Sequence, residues 1–176
     1  MKRNLLILLF CAIHVLVCGQ KDVEFINNDS SLIRIKGLYS CGYGKIFDTT
    51  YVWDDLLDSY KSSSNLTTEE IIEAEEIMIN NYNEVLEKDL RFDYINPKVK
   101  DPKRHLKYYY RQYVGYINDE GEKMIFIHLL NFRNKKKAEK YFSGWKNDIK
   151  IGVGSFYDKN QKFFIVNLEN KTLTIP

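Results

Sequence analysis

Hydrophobic positions change period several times along the chain, and each period predicts an element. In "SLIRIKG", Ser31 to Gly37, Ile33 and Ile35 alternate with Arg34 and Lys36, which predicts a short strand stopped by Gly37. "YSCGYGK" reads as a glycine-rich turn. "TTYVWDDLLDSY" places Trp53, Leu56, Leu57 and Tyr60 at i, i+3, i+4 and i+7, a short amphipathic helix capped by Thr49 or Thr50, with "KSSSN" as a polar link. The strongest helix follows. Thr67 with Glu70 three residues on is a capping box, Leu66 is placed to staple against Ile71, and acidic residues crowd the positive end of the helix dipole. Ile71, Ala74, Met78, Tyr82 and Val85 form its apolar stripe, widened by Ile72, Ile79 and Leu86. Such a helix is roughly 30–35 Å long, enough to be the spine of a domain.

"INPKVKDPKRH" has two prolines and no period, and reads as a loop. Tyr108 to Ile117 is aromatic and β-branched, Asn118 to Gly121 makes a turn, and Met124 to Asn131 is apolar on both faces. This predicts a β-hairpin whose second strand is central in its sheet. "NKKKAEKYFSGWKNDI" returns to helical spacing with Ala138, Tyr141, Phe142, Trp145 and Ile149 on one side. Ile151 to Tyr157 and Lys162 to Leu168 read as a second hairpin turning at Asp158 to Gln161, and Thr172 to Ile175 as a last strand. The expected class is α+β: an antiparallel sheet of about four to five strands packed on one long helix, with a cystatin-like or NTF2-like roll the nearest shape by element order.

The first residues change the picture of the cell compartment. "MKRNLLILLFCAIHVLVCGQ" carries Lys2 and Arg3 ahead of an apolar run from Leu5 to Val17, which is too short for a membrane span and has the length of a signal-peptide core. Residues 1–19 are thus expected to be a leader, 20–30 a flexible linker, and 31–176 one domain. Cleavage before Gln20 is one outcome. The other is lipidation, since "LVCGQKD" resembles the lipobox of bacterial lipoproteins, in which Cys18 would be acylated; Val17 departs from that pattern. Location is then periplasmic, outer-membrane-anchored or secreted, with the membrane reached only through Cys18.

The whole chain has 26 Lys+Arg against 24 Asp+Glu, and losing Lys2 and Arg3 leaves 24 of each. Such a balance gives no global attraction to nucleic acid. Of Cys11, Cys18 and Cys41 only Cys41 is certain to survive processing, so no disulfide framework is expected.

Candidate chemistry is thin. Cys41 would need a base, and His105 and His128 are the histidines beyond the leader. No set at ligand spacing predicts a metal, and no cofactor is expected. "WDDLLD" resembles the aspartate-rich magnesium motif of prenyl-transferring enzymes, yet reads more simply as the wet first turns of a helix. Gln112 to Gly115 is near the Gln-x-Val-x-Gly loop of cystatin protease inhibitors, with its glycine one place early. Tyr108, Tyr110, Gln112, Val114 and Tyr116 share one strand face; with Arg111 from the other, Tyr108, Tyr110, Gln112 and Tyr116 are the candidate binding residues, for a protein, peptide or glycan. Arg133, Lys135, Lys136, Lys137 and Lys140 read as a solvated basic helix face.

"YYRQYVGYINDEGEKMIFIHLLNF" and "GVGSFYDKNQKFFIVNLENKTL" resemble a group of small exported proteins of Bacteroidetes-type bacteria, marked by Gly115, Gly121, Gly152 and Gly154. The resemblance implies export and two hairpins, and no activity. The leading expectation is a non-enzymatic exported binding domain. A small hydrolase using Cys41 with His105 or His128, and a secreted protease inhibitor, are the alternatives.

Overall fold

The computed structural model describes residues 22–26, 29–36, 42–51, 56–57, 59–88 and 99–176. Its strands are β1 (Asp22–Ile26), β2 (Asp29–Lys36), β3 (Gly42–Phe47), β4 (Tyr60–Ser63), β5 (Tyr109–Asn118), β6 (Lys123–Asn131), β7 (Gln161–Asn167) and β8 (Thr172–Thr174). Its α-helices are α1 (Thr68–Lys88), α2 (Pro102–Leu106), α3 (Lys135–Tyr141) and α4 (Ser155–Asn160).

One sheet takes all eight strands in the order β1-β2-β3-β5-β6-β7-β8, where about four to five were expected. β4 shares an edge of β5 with β3: β3 runs parallel to it at Arg111–Val114, and β4 antiparallel at Tyr116–Asn118. All other pairings are antiparallel, so the α+β class holds. The additional strands come from segments with weak local signals. β1 lies inside the stretch read as a linker, β3 begins within the supposed glycine turn and runs two residues past it, and β4 covers Tyr60 and most of the supposed polar link. Gly42 and Gly44 belong to β3 for a packing reason. A Cβ on Gly42 would stand 2.8 Å from the Arg111 guanidinium, and one on Gly44 would stand 2.7 Å from the Tyr113 ring. The two glycines leave space for large side chains on the neighbouring strand.

α1 begins as its sequence dictates. Thr67 Oγ1 accepts from the Glu70 N–H at 3.2 Å, and the Thr67 N–H donates to Glu70 Oε2 at 2.9 Å, a closed capping box. Its stripe is in the core: Ile71, Ala74, Met78 and Tyr82 are fully buried, with Val85 half-buried beside them. α1 touches β1 at one edge of the sheet and β7 and β8 at the other, so the sheet curls about it. Ile33, Ile35, Tyr109, Tyr113, Ile125, Ile127, Leu129, Phe164 and Val166 face it. Each such aliphatic side chain contributes about 1.5–3 kcal/mol by leaving water.

The opposite face is covered by a less regular layer. The helical spacing of 134–149 yields a helix only as far as Tyr141, with turns beyond it, yet Ala138, Phe142, Trp145 and Ile149 are all buried there. The segment 151–157 is not a strand. Gly154 turns the chain with φ +100° into α4, and the aromatic alternation is used in stacking instead: Phe156 lies on Tyr141 at 4.0 Å. The second hairpin is therefore β7–β8. The "KDPKRH" stretch also departs from a loop, because Asp101 caps α2 through Arg104 N and Pro102 supplies a preset first helical residue. Trp53 and the aspartates of "WDDLLD" lie outside the described residues, as do Cys18 and Cys41.

Candidate functional site

β5 carries most of the polar candidates, and its alternation divides them between the two faces of the sheet. Arg111 points toward α1 and is fully buried. Its guanidinium lies 3.3 and 3.5 Å from the carboxylate of Glu75, which is also fully buried, and donates to the Tyr109 carbonyl. The Tyr113 hydroxyl donates to the same carboxylate at 2.7 Å. The periodicity held a signal for this pair, because Glu75 stands four residues after Ile71 and three before Met78, inside the apolar stripe.

Gln112 points the other way and is also buried. Its amide nitrogen donates to the carbonyls of Trp145 at 2.6 Å and Asp148 at 2.7 Å. Its oxygen accepts from the Lys150 N–H at 3.2 Å and lies 2.9 Å from His128 Nδ1. Gln112 thus uses its full bonding capacity to pin the irregular 145–150 segment onto the sheet. Since Gln112 Oε1 accepts, His128 carries its proton on Nδ1, and the imidazole lies on the Phe163 ring at 4.5 Å. Nε2 is left buried without a hydrogen-bond partner, while Gln161 spends both ends of its amide on the Gly152 backbone. Burial pushes the His128 pKa down to about 3, so it is a neutral core residue. Tyr116 is buried beside Tyr60, and Tyr110 stacks on Phe132 at 4.0 Å.

His105 is placed differently. α2 sets it over Tyr109 on the α1 face, with Nε2 3.3 Å from the Tyr109 hydroxyl. His105 and His128 are therefore separated by the sheet. Among those residues no group of three or more His, Cys, Asp and Glu side chains is arranged to hold a metal ion.

A cavity of about 680 Å³ opens beside His105 at the end of the β5–β6 hairpin. Val99, Lys100, Asp101, Arg104, His105, Tyr108, Tyr109, Asn131 and Arg133 line it. Three local devices build it. Asn83 of α1 holds the Val99 backbone at both N–H and C=O, at 3.1 and 2.9 Å. The α2 cap projects Arg104 and His105, and the Phe132 N–H closes the hairpin end on the Tyr108 carbonyl at 2.8 Å.

The cleft is electropositive. Its one carboxylate among the described residues, Asp101, is already engaged in capping α2. No carboxylate among the described residues pairs with Lys100, Arg104 or Arg133. Exposed Tyr108 lies between Lys107 at 4.7 Å and Arg133 at 5.3 Å from its ring centre. A hydrogen bond with Lys107, and the charges of Lys107, Arg133 and Arg104, pull its hydroxyl below the usual phenol range. Burial, then the charges of Lys162 and Arg133, hold His105 below the usual imidazole range. Lys162 lines a smaller apolar cavity of about 300 Å³ with Leu86, Ile151, Phe163 and Ile175, and burial lowers its amine to about 8.

Of the binding candidates, only Tyr108 faces this cleft. The cations around it come from two runs, 100–107 and 133–140, that the sequence shows apart and the hairpin brings together. Among the described residues no helix is long and apolar enough to cross a membrane. Compared with protein-family models, curated proteins and solved structures, the chain matches none.

Proposed function

We propose that the protein is an exported, non-enzymatic binding domain whose ligand presents an anionic group to the cleft of Lys100, Arg104, His105, Tyr108 and Arg133. The observation that carries this reading is the concentration of cations without carboxylate partners among the described residues, around a concave and partly aromatic surface. Arg104 and Arg133 supply forked donors suited to carboxylate, sulfate or phosphate, while Tyr108 and Asn131 supply neutral hydrogen bonds that orient the ligand. The hydrogen bond with Lys107 is the main cause that lowers the Tyr108 hydroxyl, and burial the main cause that lowers His105; the charge of Arg133 adds to both in the same direction. The alternative hydrolase would use Cys41, which lies outside the described residues, with His105, which contacts the Tyr109 hydroxyl, or His128, which is fully buried.

The test is thermal unfolding in sulfate against chloride at matched ionic strength. Sulfate stabilises many proteins by exclusion, so the informative quantity is the difference between wild type and an Arg104→Ser/Arg133→Ser variant. Wild type gains more from sulfate than the variant does. Equal gains would remove the anion site.

A further inference from the structure

A second cavity lies on the other side of the same hairpin end, and the two share a strand. Asn131 and Arg133 line the cationic cleft, whereas Phe132 and Lys135 line a cavity of about 380 Å³ on the face away from α1. Tyr43, Tyr110 and Trp145 make its floor with Phe132, and Glu139, Ser143 and Lys146 complete its rim with Lys135. Both spaces fall in the range of small-ligand sites. The exposed turn from Arg133 to Lys135 joins them, so a chain-like ligand can pass from one to the other along a cationic edge.

We infer that the ligand is an acidic polysaccharide, with a carboxylate or sulfate group in the cationic cleft and a neighbouring sugar ring in the aromatic cavity. The inference rests on the anion site proposed above. A uronate unit matches both cavities: its charged group suits Arg104 and Arg133, its hydroxyls suit Glu139 and Ser143, and its C–H face suits an aromatic floor. A peptide of Asp and Glu supplies the carboxylates but lacks the flat C–H face that the aromatic floor of Tyr43, Tyr110, Phe132 and Trp145 would take. A nucleic acid fits less well. Tyr110 already stacks on Phe132 at 4.0 Å and packs at 5.1 Å from Trp145, and the Tyr108 ring is flanked by two cations. No open sandwich is offered to a base.

Calorimetric titration at low salt with hexagalacturonate, maltohexaose, sodium sulfate and hexathymidylate tests this. Hexagalacturonate is expected to bind roughly tenfold tighter than sulfate or maltohexaose, because both subsites are engaged by one molecule. Lys135→Ser/Lys146→Ser, at the exposed rim of the aromatic cavity, weakens hexagalacturonate about threefold and leaves sulfate unchanged. Arg133→Ser weakens both. If hexagalacturonate binds no tighter than sulfate and the rim variant has no effect, the polysaccharide is refuted while the anion site stands. If hexathymidylate binds as tightly as hexagalacturonate, the ligand class is wrong. If neither sulfate nor hexagalacturonate binds, the anion site fails as well.

Discussion

Arg111 and Arg133 present the same guanidinium from one hairpin into opposite surroundings. Arg111, fully buried, is enclosed by the Glu75 carboxylate and the Tyr109 carbonyl, with Tyr113 donating to the same carboxylate. Arg133, past the end of β6, is exposed and lies over the Tyr108 ring, with no carboxylate partner among the described residues. The contrast extends to their neighbours. Gln112 and His128 are bonded to each other inside the protein, whereas Arg104 and Lys100 face the cleft. Polar groups whose partners are internal hold the sheet to its two covering layers. Polar groups of the same kinds at the hairpin end line an open cleft, where we propose that they meet an anion.

The largest effect that would break this contrast is expected at Arg111. Arg111→Met leaves Glu75 as a buried charge and should cost about 3–5 kcal/mol, read as a fall in the urea midpoint. Glu75→Leu combined with Arg111→Met should recover much of that loss. A single variant within about 0.5 kcal/mol of wild type would show that the pair is not the internal tie described here.

His128 gives the next effect, through pH. Its pKa is about 3 in the folded chain against an ordinary 6.5, so between those values the unfolded chain binds the extra proton. Stability is therefore full above pH 6.5 and is lost as the pH falls toward 3, by up to a few kcal/mol. His105, also lowered, adds in the same direction. The lowered carboxylates Glu70 and Glu122 act only below their ordinary 4.5, so the loss between pH 6.5 and 5 belongs to the histidines. His128→Leu should flatten that part of the curve, and an unchanged slope would refute the buried neutral imidazole.

Gln112→Ala comes third. It removes the partners of two carbonyls and one N–H in the 145–150 segment, and should cost about 1–3 kcal/mol. Amide exchange should quicken at Lys150 more than in β6. Arg133→Ser should be smallest for the fold, within about 0.5 kcal/mol of wild type, while it weakens anion binding.

What the sequence made legible was local. The α1 capping box, its stripe and the β5–β6 hairpin rest on neighbours a few residues apart, and all three are present. What it hid was set by distant partners. β3 joins β5 in parallel across a long separation, and two glycines suited to a turn serve a close strand approach instead. Phe156 and Tyr157 alternate like a strand but are taken up by Tyr141 and Phe142. The candidate site was half visible in the same sense. Tyr108 and the basic run after Arg133 could be named, but only the fold sets α2 and its Arg104 and His105 beside them.

The most direct test of the central claim is a sulfate titration followed by amide and side-chain NMR shifts. The account predicts saturable shifts at His105, Tyr108, Asn131 and Arg133, with Arg111, Gln112 and His128 unmoved. Shifts centred on the buried residues, or linear drift without saturation at the hairpin end, would contradict it.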